Sequence, residues 1–340
     1  MKTNAGTLAA PFPYFGGKSG ACAQVWEAFG DVANYVEAFA GSAAMLLGAP
    51  DGKRVETIND ADGFVANFWR AIAQDPEAVA HHADYPCNET DLFARHSWLV
   101  RQAATLTERL HADPDWFDVK IAGWWCWGAC NWIGSGWCSG TGPWVHDGER
   151  IIKGNAGQGI NRQLPHLGDA GKGINRQLPH LGDAGRGDHH PRRAFIESWF
   201  ADLHGRLRDV RVACGDWGRV VKESVTTRHG LTGVFLDPPY TKGAMDYAAG
   251  GVGTDLPMQV QAWAQANGDN PQLRIILCGH AGEHDALLAH GWHTRKWLAR
   301  KGYATTDEAI ANSAGETLWC SPHCVPAERV GNFDLFAEAT

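Results

Sequence analysis

The densest chemistry in the chain lies in Val234-Phe235-Leu236-Asp237-Pro238-Pro239-Tyr240. The three apolar residues read as a short strand buried on both faces. Asp237 stands where that strand ends. Two prolines then forbid further strand or helix, because neither donates an N–H and each restrains the residue before it. The result is a stiff, extended loop at the carboxyl end of a strand. It offers the Asp237 carboxylate, the Pro238 carbonyl and the Tyr240 ring, two hydrogen-bond acceptors beside a stacking face. In open α/β sheets ligands bind at that edge. A proline turn followed by a packed tyrosine would be spelled the same way, so the rest of the chain has to decide.

Three further acids fall at or near predicted strand ends. Residues 34–39 read as a strand containing Glu37 and Phe39, followed by the small-residue turn Ala40-Gly41-Ser42-Ala43 and a helical run from Ala44. Such a turn lets a ligand lie against the backbone near a helix N-terminus, although the G-x-G-x-x-G of dinucleotide sites is missing. A second strand over 54–58 is closed by Asn59-Asp60, about 20 residues beyond that turn, the spacing at which an acid reaches ribose hydroxyls. Asp60 or Asp62 could equally cap the helix expected over 63–72, and Asp60 as ligand is compatible with Asp62 as cap. A strand over 210–214 ends in Gly215-Asp216-Trp217. Upstream, Tyr14, Gly16, Gly17 and Lys18 form an opening segment whose glycines permit close backbone approach and whose lysine brings a positive charge. Downstream, 273–278 reads as a buried strand, 283–289 as a helix, and 292–298 and 316–320 as the last strands. The elements that position the acids are thus those of an α/β fold with a Rossmann-like sheet.

Composition narrows the classes. At 340 residues, 44% hydrophobic and 20% charged, the chain has ordinary globular proportions and can fill a large core. No apolar run approaches the ~20 residues of a membrane span, and 1–13 holds no signal-peptide core, so a cytoplasmic protein without membrane contact is expected. Nine irregularly spaced cysteines point to reduced thiols. The net charge of −8 argues against indiscriminate nucleic-acid binding, but residues 150–230 carry 14 Lys and Arg against 8 Asp and Glu, which leaves −14 for the rest. One basic surface for a polyanion is the expectation, against chance clustering on a solvated face.

Between about 85 and 200 the strand–helix alternation stops, although 89–110 reads as helix. Five tryptophans fall between Trp124 and Trp137. Most are expected to form a small aromatic core, with one ring available to stack on a base or wedge into a duplex. Cys126, Cys130 and Cys138 lack a CxxC pair, and Cys320, His323 and Cys324 lack a fourth ligand, so no metal is expected. A 14-residue tandem repeat, GINRQLPHLGDAGK over 159–172 and GINRQLPHLGDAGR over 173–186, is either a recent duplication in a tolerant loop or a nucleic-acid-binding loop. On the second reading Arg162 and Arg176, with Arg192 and Arg193 beyond the repeat, contact DNA. An amphipathic helix over 193–207 follows.

Together these motifs resemble the S-adenosylmethionine-dependent methyltransferases, and more narrowly the Dam-type N6-adenine DNA methyltransferases. The family's aromatic-x-Gly-Gly-Lys opening is matched by Tyr14, Gly16, Gly17 and Lys18, and its Glu-Pro-Phe-x-Gly-x-Gly by Glu37, Phe39 and Gly41. Its Asn-Asp is matched by Asn59-Asp60, its Gly-Asp-aromatic by Gly215-Asp216-Trp217 and its DPPY by 237–240. Ala38 replaces the proline, and Ala43 replaces the second glycine of the first loop, where its methyl would narrow the cofactor pocket. The resemblance covers 12–72 and 210–240 well and the last strands loosely. It implies a mostly parallel sheet with an antiparallel C-terminal strand. It also implies a discontinuous cofactor-binding catalytic domain over 1–84 and 201–340, and an inserted target-recognition domain over 85–200.

The implied cofactor is S-adenosyl-L-methionine. Glu37 or Asp60 would bond its ribose or amino-acid part, Asp216 its adenine amino group, and Tyr14 and Lys18 its methionine end. The implied substrate is double-stranded DNA with the target adenine flipped out. Asp237 and the Pro238 carbonyl would accept the amine hydrogens and Tyr240 would stack on the base. A cognate restriction endonuclease is a partner such enzymes can have, and a monomer is expected. N4-cytosine or RNA amine methylation is the nearest rival in chemistry. A non-catalytic DNA-binding protein on a methyltransferase scaffold is the rival of another class.

Overall fold

The computed structural model describes residues 8–14, 18–86, 88–132, 137–138, 144–146, 151–153, 192–239, 255–296 and 316–327. In chain order the strands are β1 (Asn34–Glu37), β2 (Val55–Asp60), the hairpin pair β3 (Trp144–His146) and β4 (Ile151–Lys153), β5 (Arg211–Cys214), β6 (Thr232–Leu236), β7 (Leu273–His280), β8 (His293–Lys296) and β9 (Glu316–Cys320). The helices are α1 (Cys22–Phe29), α2 (Ala44–Leu47), α3 (Gly63–Gln74), α4 (Pro76–Ala83), α5 (Glu89–Ala112), α6 (Val119–Asn131), α7 (Arg192–Leu207) and α8 (Leu256–Asn267).

Apart from the hairpin, the strands form one sheet in the order β5-β2-β1-β6-β7-β9-β8. The first five are parallel neighbours, and β9 runs antiparallel to both β7 and β8. The protein is therefore α/β, with a mostly parallel mixed sheet and antiparallel pairing at its C-terminal strands, a form compatible with a Rossmann-like fold. All of β1 and β6 is buried. Side chains alternate between two apolar layers, as the two-residue strand period requires. Tyr35, Phe235, Ile276 and Cys278 face the layer shared with α1 and α3. Val36, Val234, Leu236, Ile275 and Leu277 face the layer shared with α8.

The described helices between 85 and 207 pack on the first layer. Leu99 and Leu106 of α5, Trp125 of α6, and Ile196 and Phe200 of α7 join the cluster that holds Phe68 and Ile72 of α3. Leu92, Trp127 and Trp132 form a small cluster beside it. Arg206 of α7 reaches across to Glu56 of β2 at 2.6 and 2.8 Å and donates to Leu46 O at 2.8 Å, which fixes this layer to the sheet. The tryptophan-rich stretch is largely core, as the sequence suggested: Trp125, Trp127 and Trp132 are buried. Much of 133–191, including the repeat, lies outside the described residues.

Four helices escape the sequence reading: α1, α4, α6 and α8. The segment expected as a helix over 283–289 is a 3-10 helix, Asp285–His290. In α6 the reason is physical. The helix is apolar nearly all round because it is sandwiched among other helices, so no polar stripe marks its period. Its glycines are contact points: a Cβ on Gly123 would lie 2.7 Å from the backbone of Val79 and His82 in α4.

Candidate active site

Strand register sets four acids along one edge. Glu37 pairs with Phe235, so Asp237 lies one side-chain period beyond it; Asp60 pairs with Cys214, so Asp216 lies one period beyond that. The chain winds outward in opposite directions from β1 and β6, and such a reversal opens a crevice at the carboxyl ends of the two strands.

The acids at β1 and β2 are turned into the protein. Glu37 is 2% exposed. Its Oε2 accepts from the Tyr35 hydroxyl and from the Leu46 backbone N–H, both at 3.1 Å, so it braces the start of α2. Burial pushes its carboxyl up to about 8. Asp60 Oδ2 accepts from Gly41 N at 2.8 Å and its Oδ1 from Asp62 N at 2.9 Å. Asp60 thereby ties the first turn to the end of β2. The helix cap falls to Asp62, which accepts from Phe64 N at 2.8 Å. Asn59 adds a cross-brace, donating to Ala38 O and to Gly215 O at 3.0 Å each.

The turn itself is tight. Gly41 sits at φ +46°, and a Cβ there would run into the Tyr14 ring. Trp69 Nε1 donates to Gly41 O at 2.9 Å. Ala43, the residue standing in for glycine, adopts the left-handed conformation at φ 49° that glycine would take, and its methyl is fully buried in the core. The methyl therefore packs inward rather than into the crevice.

The acids at β5 and β6 are placed differently. Asp216 is exposed; its Oδ1 accepts from Gly218 N at 2.9 Å, and its Oδ2 has no partner among the described residues. Next to it Trp217 stacks on Phe39 with ring centroids 6.1 Å apart. Asp237 Oδ2 lies 3.3 Å from Lys18 Nζ, and Lys18 Nζ also lies 3.7 Å from Glu316 Oε1. The Lys18 side chain is 4% exposed. Burial alone would lower its ammonium, but Asp237 and Glu316 outweigh that and hold it above the usual value. Burial pushes the Glu316 carboxyl up while Lys18 pulls the other way.

Glu316 is the site residue that sequence reasoning missed. β9 is antiparallel, so its first residue pairs with His280 at the end of β7 and joins the same edge. An acid opening a final antiparallel strand was the available signal. Gly16, Gly17, Tyr240, Arg162 and Arg176 lie outside the described residues. Arg192 opens α7, and Arg193 is exposed and pairs with Glu197 at 2.7 Å. No group of three or more metal-ligating side chains occurs among the described residues. Cys126 and Cys130 thiols instead face Pro11 O, while His323 bonds Asp269 O away from the Cys320–Cys324 pair. No helix among the described residues is long and apolar enough to cross a membrane. The chain matches no protein-family model and no curated protein.

Proposed function

We infer that this chain is a site-specific DNA methyltransferase that modifies the N6 amine of an adenine flipped out of the duplex. One observation carries the reading. Motif residues far apart in sequence meet in pairs at the sheet edge: Lys18 with Asp237, Tyr14 and Asp60 with Gly41, and Phe39 with Trp217. A set of unrelated turns and caps would have no reason to converge in this way.

The acceptor set fits S-adenosyl-L-methionine, whose hydroxyls and amino groups need acceptors. Asp216 has a free carboxylate oxygen on an exposed strand end beside the stacked Phe39–Trp217 pair, and Asn59 Oδ1 is a buried acceptor without a partner. Asp216 would hold the adenine amino group. Glu37 and Asp60 serve a bound cofactor indirectly, by shaping the turn against which it lies. When bound, the cofactor supplies an electrophilic methyl group.

The chain's own residues then act on the target amine, a weak nucleophile because its lone pair is delocalised into the ring. Asp237 and the Pro238 carbonyl accept its two hydrogens, which favours a pyramidal nitrogen with its lone pair freed. The prolines keep both acceptors in fixed relation. Lys18 balances the Asp237 charge and limits where that carboxylate can point. Tyr240 stacks on the flipped base, and the basic stretch over 150–230 holds the duplex.

Asp237→Ala tests the reading. Methyl transfer to duplex DNA should fall at least ~100-fold, the scale on which positioned acceptors contribute. Cofactor binding by calorimetry should persist. Undiminished transfer in this variant would exclude Asp237 from the chemistry.

A further inference from the structure

A second feature lies on the helical layer, away from the sheet edge. A cleft of about 350 Å³ opens between α5 and α6, lined by Asp91, Ala94, Arg95, Trp98, Arg101 and Trp124. Its walls are aromatic: Trp98 and Trp124 meet edge to face with centroids 5.1 Å apart. Lys120 Nζ lies 4.8 Å and 4.4 Å from those two rings. The Arg95 guanidinium is caged by Tyr85 at 3.9 Å, Trp127 at 4.2 Å and Trp124 at 5.1 Å.

The cage holds Arg95 in place but leaves it unsatisfied. Arg95 is 7% exposed, and its Nη1 is buried without a hydrogen-bond partner. The indole Nε1 of Trp124 is in the same condition. Neighbouring indoles are not: Trp127 Nε1 donates to Tyr85 O at 2.9 Å and Trp137 Nε1 to Trp125 O at 3.0 Å. A buried donor without an acceptor is destabilising, more so when charged. Both orphans are donors, and Arg95 and Lys120 bring positive charge beside them, with Asp91 in the lining. Asp91 is itself engaged, accepting from Asn88 Nδ2 at 2.7 Å. The missing partner is thus an anionic acceptor, and apolar ring faces beside it suit the sugar or base of the same ligand.

We propose that the α5–α6 cleft binds a phosphodiester group of the nucleic acid on which this protein acts. The proposal rests on the DNA-directed reading above and gives it a contact separate from the basic stretch. α5 connects the two places. Its last turn carries His111, whose Nε2 lies 2.9 Å from Cys214 O at the end of β5. Arg95 precedes His111 by about 24 Å of helix. A duplex seated in the cleft would be held by the same rigid rod that abuts the candidate active site.

The test is binding of a fluorescein-labelled duplex oligonucleotide to the full chain, followed by anisotropy between about 50 and 200 mM KCl, where lost phosphate contacts show in the salt slope. The variant is Arg101→Gln with Lys120→Gln, both outside the buried core, with its melting temperature checked. The slope of log Kobs against log[KCl] should become shallower by about 1–2, at ~0.9 per contact, with weaker binding at the lower salt. Arg95→Met, which preserves packing in the cage, should weaken binding as well; if it does not fold, the double variant decides alone. Methyl transfer by the wild type to the same duplex is scored separately. If the wild type methylates and binds, and the double variant keeps the same slope and affinity, the cleft proposal is overturned while the methyltransferase reading stands. A wild type that neither binds nor methylates the duplex overturns both, and binding confined to RNA overturns the duplex contact.

Discussion

The ends of β1 and β2 and the ends of β5 and β6 carry the same kind of residue and use it differently. Glu37 and Asp60 spend their oxygens on the Tyr35 hydroxyl and on backbone N–H groups of Leu46, Gly41 and Asp62. They hold the first turn in shape. Asp216 is exposed and keeps one oxygen unbonded among the described residues, and Asp237 pairs with the Lys18 ammonium that it shares with Glu316. A row of strand-end acids is therefore not a row of equivalent ligands. One half builds the floor of the crevice, and on the proposed function the other half faces what enters it.

The comparison is open to direct attack. The largest effect is expected at Asp60. Asp60→Ala strands two backbone N–H groups, and unfolding in urea should show a loss of about 2–4 kcal/mol. Asp216→Ala should give the converse result. It loses a single cap bond, worth about 0.5–1 kcal/mol, so unfolding barely moves. Calorimetry should nevertheless show ~10–100-fold weaker S-adenosylmethionine binding, the scale of a hydrogen bond to a charged group. If the two variants exchanged these phenotypes, the division between bracing and facing acids would be wrong.

The brace at Glu37 also sets a pH dependence of stability. Burial raises Glu37 to about 8 from an ordinary value of 4.5. Between those values the folded chain keeps a proton that the unfolded chain has lost. Stability therefore falls as pH rises from about 5 to about 8 and levels off above that. Glu37→Gln should flatten the fall, as read by urea unfolding across that range. Asp62, raised to about 7 by burial and by Asp60, leaves a weaker slope of the same sign. An unchanged profile in the variant would mean that Glu37 does not keep its proton in the folded chain over this range.

The smallest effect belongs to Ala43→Gly. A non-glycine residue in the left-handed region costs about 1–2 kcal/mol. Glycine gives up about 0.8 kcal/mol of buried methyl and about 0.5–1 kcal/mol of chain entropy. The terms nearly cancel, so the melting temperature should shift by no more than a few degrees. Cofactor affinity should stay as it is, because the methyl points into the core.

The sheet was largely legible because its strands advertise themselves. Val234-Phe235-Leu236 is an unbroken apolar run that Asp237 closes, and Leu273 to Cys278 is apolar apart from Arg274. α3, α5 and α7 were legible from their periodicity and, for α3, from the Asp62 cap. α6 was hidden by being buried on all sides. The state of each acid was hidden as well, since what decides it is distant in sequence. Asp60 is taken by a turn 19 residues before it, and Asp237 is met by a lysine from the opening segment. Glu316 was hidden for the same reason: only the antiparallel direction of β9 brings its first residue to the edge.

Methyl transfer to adenine N6 at Asp237 is the step on which the proposed function stands. Its most direct measurement is nucleoside analysis of duplex DNA incubated with the protein and S-adenosylmethionine, run beside the Asp237→Ala variant. The account predicts N6-methyladenine with the wild type and none above background with the variant. Methylcytosine alone, no modified base at all, or equal N6-methyladenine from both proteins would contradict it.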